Sequence, residues 1–71
     1  MRTYKVGLDR HCNGKRYDND VTVTAYNGQH AILLALSNTT GIALDRIHDL
    51  EVEHGYQVGE VLYTIEYVRE I

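Results

Sequence analysis

The sequence predicts an α+β fold of two layers. A mainly antiparallel four-stranded sheet carries one helix on one face, in the order β-β-α-β-β. Three observations lead there. Residues 3–8 and 21–26 alternate apolar and polar side chains with a period of two, as half-buried strands do. Asn13-Gly14 between them is a two-residue hairpin signal. Residues 28–38 carry their apolar groups at helical spacing instead.

The first strand, 3–9, puts Tyr4, Val6 and Leu8 on one face and Thr3, Lys5 and Gly7 on the other. The second, 20–26, sets Val21, Val23 and Ala25 against Thr22, Thr24 and Tyr26. With Asn13-Gly14 as the turn, Val6 faces Val21 and Tyr4 faces Val23, which matches the apolar faces. The same register places Asp18, Asn19 and Asp20 in a strand, where they fit poorly. A longer irregular loop over 10–19 is the alternative.

Asn27 is placed to cap a helix over 28–38, and Gly41 to stop it. Ala31, Leu34, Ala35 and Asn38 form one stripe, with Ile32 and Leu36 beside it. The unbroken apolar run from Ala31 to Leu36 exceeds what one buried stripe needs. Leu33 then falls near the stripe's edge. Either the fold engulfs the helix, or Leu33 marks self-association, for which a symmetric homodimer is the commonest solution.

Residues 42–47 suit a further turn. A third strand, 48–54, directs Leu50 and Val52 inward and Asp49, Glu51 and Glu53 outward. Gly55 to Gly59 reads as a glycine-bounded turn. The last strand, 60–69, sets Val61, Tyr63, Ile65 and Tyr67 against Leu62, Thr64, Glu66 and Val68. Helical spacing also fits Val58, Val61, Leu62, Ile65 and Val68, but the Val, Tyr, Thr and Ile content favours strand. The expected core is Val6, Val21, Val23, Leu34, Leu50, Val52, Val61 and Ile65.

The 71 residues make one small domain, 1–71. A chain of this size buries only about 60% of its unfolded surface, so its core is marginal. Hydrophobic residues are 44% and charged residues 24%, which excludes a disordered, collagen-like or membrane-spanning class. With no Phe or Trp, the core rests on Val, Leu and Ile, and the six tyrosines suit core edges. The single cysteine, Cys12, excludes an intrachain disulfide and favours a reducing compartment. No apolar run has signal-peptide length. A cytoplasmic location is expected.

Most chemistries fail on spacing. His48 and His54 would share a strand face about 20 Å apart, too far to ligate one ion. His11 and Cys12 would point to opposite faces of an extended chain. A Cys12–His11 nucleophile lacks an oxyanion site and a cleft. Gly55-x-x-x-Gly59 lacks the Lys-Ser/Thr of a phosphate loop. No metal, no cofactor and no catalysis are expected.

Charge is divided unevenly. Residues 1–16 hold Arg2, Lys5, Arg10, Lys15 and Arg16 against Asp9, while 17–71 hold Arg46 and Arg69 against nine acids. If the last two strands pair, Asp49, Glu51, Glu53 and Glu66 form an acidic stripe on the open sheet face. Such a stripe complements a basic protein surface. The expected function is therefore a non-enzymatic protein-interaction module, an accessory or inhibitor protein of phage or mobile-element type that occupies a partner's surface. The alternative is a small nucleic-acid-associated protein gripping phosphates through Arg10, Lys15, Arg16 and Tyr17. An open face with more acid than base speaks against sheet-surface RNA binding.

Overall fold

A computed structural model describes residues 1–71. The chain runs β1 (Arg2–Cys12), β2 (Lys15–Ala25), α1 (Gly28–Thr40), a 3-10 helix (Leu44–Leu50), β3 (Glu51–Val52), β4 (Gly55–Val58) and β5 (Val61–Glu70). The five strands form one antiparallel sheet in the order β2-β1-β5-β4-β3. The α+β class and the first hairpin stand, with five strands where four were expected and a 3-10 helix added; the second hairpin joins β4 to β5 and not 48–54 to 60–69.

The first hairpin is regular to its tip. Asn13 (φ 54°) and Gly14 (φ 76°) both take the left-handed conformation of a type I′ turn, whose twist matches that of the strands. Val6 pairs with Val21 and Tyr4 with Val23, as the apolar faces require, and pairing continues to Cys12 and Lys15. No irregular loop interrupts residues 10–19.

Helix α1 begins where Asn27 accepts a hydrogen bond from the His30 amide at 2.9 Å. It ends at Gly41, whose positive φ of 76° lets its amide reach the Ser37 carbonyl. The helix lies over β1, β2 and β5 and against the 3-10 helix. That second neighbour turns the buried side. Ala31, Leu33, Ala35 and Leu36 are buried, while Leu34 is only half-buried. Leu33 is thus enclosed within one chain, and the apolar surplus is an engulfed helix.

Two further expectations are corrected downstream. Residues 48–50 close the 3-10 helix, whose Ile47 enters the core at 1% exposure, so the strand predicted over 48–54 is reduced to Glu51 and Val52. Val52, expected inside, is 44% exposed. The segment read as a turn, Gly55 to Val58, is itself strand β4 and lies between β3 and β5.

In β5, partners shift between Gly7–Tyr67 and Leu8–Ile65, which leaves Glu66 as a β-bulge. The extra residue reverses the alternation. Val68 joins the helix side, opposite Val6, and Tyr67 moves to the open side, opposite Gly7. The predicted single face of Val61, Tyr63, Ile65 and Tyr67 therefore holds only through Ile65. Val6 and Val23 are fully buried, and Val21, Leu34, Leu50, Val61 and Ile65 pack partly buried around the core. Tyr4, Tyr56 and Tyr63 are core members, beyond the edge role expected of tyrosine.

Candidate functional site

The acidic stripe does not form. β4 separates β3 from β5, so Glu66 is not brought to Asp49, Glu51 and Glu53. Glu51 pairs with Tyr56, and Tyr56 with Tyr63, both core residues. Opposed residues share a face, so Glu51 belongs to the helix side and not to the open side. Asp49 lies in the 3-10 helix and lines a groove of about 330 Å³ with Arg46, Leu50 and the residues after α1. Glu53 sits in the β3–β4 turn, exposed beside His54.

Glu66 instead meets two residues that spacing alone did not single out. The hairpin register sets Asp9 directly opposite Asp18, and the bulge brings Glu66 to them. One carboxylate oxygen from each of the three lies within 4.8 Å of the other two. Asp9 is 8% exposed, and its Oδ1 is buried without a hydrogen-bond partner. Asp18 and Glu66 are exposed. A side-chain hydrogen bond to Asp9 is the first cause that raises Asp18 above the ordinary carboxylate value, followed by desolvation, against Arg16. For Glu66 the negative charge of Asp9 is the first cause of a rise, again followed by desolvation.

Around this triad the open face is polar. His11 Nε2 and Thr64 Oγ1 are 3.1 Å apart. Lys5 Nζ lies 3.8 Å from Asp20, and Tyr67 Oη donates to Asp20 Oδ1 at 2.7 Å.

The basic residues are gathered at the hairpin end. Residues Lys15 to Asp20 are all exposed, and this half of the hairpin is an arm that meets the end of α1 along a groove at Thr39. Arg10 stacks over the Tyr17 ring at 4.9 Å. Together they line a groove of about 250 Å³ with Leu8, Asp18, Asn19, Thr39 and Tyr63. Arg16 is turned toward Asp18, with Nε 3.6 Å from the carboxylate. Lys15 makes no ion pair. Cys12 is a half-buried free thiol at the end of β1.

No helix is long and apolar enough to cross a membrane. Comparison with family models, curated proteins and solved structures finds no match to this chain.

Proposed function

We propose that the chain is a non-enzymatic interaction module that covers the surface of a partner protein, and that the β1–β2 arm makes the contact. The observation that carries this is the stacked Arg10–Tyr17 pair, exposed on a groove of mixed character that Leu8 and Tyr63 line with Asp18, Asn19 and Thr39. Arg and Tyr beside a desolvated pocket are the side chains that dominate binding energy at protein interfaces. The β2 side of the arm, Lys15 to Asp20, adds no residue to the core and is exposed, which leaves it free for a contact. An accessory or inhibitor protein of phage or mobile-element kind acts in this manner, by occupation. Asp49, Glu51 and Glu53, exposed in the 3-10 helix, in β3 and in the β3–β4 turn, supply a second, acidic contact for a basic partner surface. Glu66 takes no part in it. A homodimer enters this reading only through a strand edge, since Leu33 is enclosed.

Phosphate binding by the arm is less favoured. Arg16 is engaged with Asp18, and the Asp9–Asp18–Glu66 carboxylates stand directly behind it. Affinity capture with mass spectrometry, with and without nuclease, separates the two. A nuclease-resistant protein partner, lost at least tenfold in the Arg10→Ala/Tyr17→Ala variant, is the expected result. Recovery that disappears with nuclease, and weakens as salt rises, would establish the nucleic-acid reading instead.

A further inference from the structure

We infer that Asp9, Asp18 and Glu66 bind a divalent cation of the calcium type on the open face of the sheet. Two like charges directly opposite in a ladder destabilise it, and a third on the adjoining strand adds to the repulsion. Arg16 supplies one positive charge, and it reaches only the outer residue, Asp18. The more telling observation is Asp9. Its side chain is more than nine-tenths buried, and Oδ1 has neither water access nor a hydrogen-bond donor. A buried carboxylate oxygen left in that state costs free energy unless a cation or a donor meets it. The side chains in reach are the Asp18 and Glu66 carboxyls, which donate only when protonated, while His11 and Thr64 bond to each other.

The donor set is three carboxylate oxygens with no sulfur or imidazole, which selects hard cations. Coordination habit then discriminates. Calcium accepts several carboxylates in a flexible shell, whereas magnesium keeps most of its waters and takes one or two carboxylates. Three carboxylates brought within 4.8 Å of one another therefore suit calcium better. Glu66 owes its place to the bulge, a feature that re-aims a side chain in this way. Two of the three donors are exposed, so water completes the shell. Affinity then falls in the weak class, with Kd of about 10⁻⁴–10⁻³ M.

The test is titration of the whole chain with CaCl2, followed by amide NMR shifts and by Tm, against MgCl2 and against NaCl of equal ionic strength. Saturable shifts confined to residues near 9, 18 and 66, with a Tm rise in calcium and a smaller one in magnesium, are expected. Asp18→Asn and Glu66→Gln, both exposed, should each weaken binding by tenfold or more with the fold intact. Asp9→Asn, close in shape, should abolish it. Shifts that never saturate, that centre on Asp49, Glu51 and Glu53, that NaCl reproduces, or that persist in the Asp18→Asn/Glu66→Gln double variant would overturn the assignment. Asp18 also lines the Arg10–Tyr17 groove and Glu66 does not, so Glu66→Gln separates the two proposals: it should weaken calcium binding and leave partner capture unchanged.

Discussion

Gly7 shows how one missing side chain organises the open face. It lies opposite Tyr67, and a methyl built on it would overlap the Tyr67 ring. The ring therefore covers the backbone of β1, and its hydroxyl reaches Asp20 on the next strand. Gly7→Ala should push the ring away and destabilise the protein by about 1–3 kcal/mol, the usual cost of overpacking. In a Tyr67→Ala background the same change should cost much less. Urea denaturation of the four proteins gives the coupling directly. Tyr56 allows a second check. Burial, and then the negative charge of Glu51, hold its phenol above the ordinary tyrosine value. Folding therefore favours the neutral phenol. Its contribution to stability is complete below the ordinary pKa and is lost as pH rises through the raised one. Tyrosinate absorbance of the native protein should include a late-titrating component. Tyr67, held up by its hydrogen bond to Asp20, also titrates late, so Tyr56→Phe should diminish that component without abolishing it, and Glu51→Gln should move the Tyr56 share to lower pH. An unchanged titration in both variants would contradict the placement of Glu51 on the helix side.

Single elements divide into those whose signals are local and those set by neighbours. The first hairpin was legible because turn chemistry and alternation agree: Asn13-Gly14 fixes the register that the valines need. Asn27 and Gly41 were legible for the same reason, since a cap is a property of a few adjacent residues. The Asp9–Asp18 pair followed from that register and was there to be found in the sequence. Glu66 was not, because a bulge in β5 answers to pairing with β1 and leaves no mark on alternation. The 3-10 helix escaped because Ile47 is its only fully buried residue, too sparse a pattern for periodicity to reveal. The buried side of α1 was misjudged by one position because that helix also contacts it. Turn chemistry can be tested alone. Gly14 has open space around it and a φ of 76°, so Gly14→Ala meets no clash and pays only for the left-handed backbone. A loss of about 1–2 kcal/mol is expected in thermal or urea melts. Asn27→Ala should cost about 1 kcal/mol through the lost bond to the His30 amide.

At the scale of the molecule, one sheet face is covered by helix and the other is left to solvent, which makes the strand edges the place where copies could meet. β3 is an edge of two residues, too short to template another strand. β2 is an edge of eleven, a real hazard on length alone. Its outer half, however, reads Lys15, Arg16, Tyr17, Asp18, Asn19 and Asp20, all exposed. Charged side chains of both signs along an edge oppose pairing with a second sheet. With Leu33 enclosed, α1 has no exposed large apolar residue, only the half-buried Ile32 and Leu34, to offer a different contact. Sedimentation equilibrium across the micromolar range should therefore return the 8.1 kDa mass of one chain. The cause is testable by removing it. Replacing Arg16, Asp18 and Asp20 with threonine keeps strand propensity and strips the edge of charge. That variant should associate with rising concentration, while Leu33→Ala should lose stability and stay a single chain. A wild-type dimer dissolved by Leu33→Ala at a temperature where the chain remains folded would show that the helix, and not the edge, governs assembly.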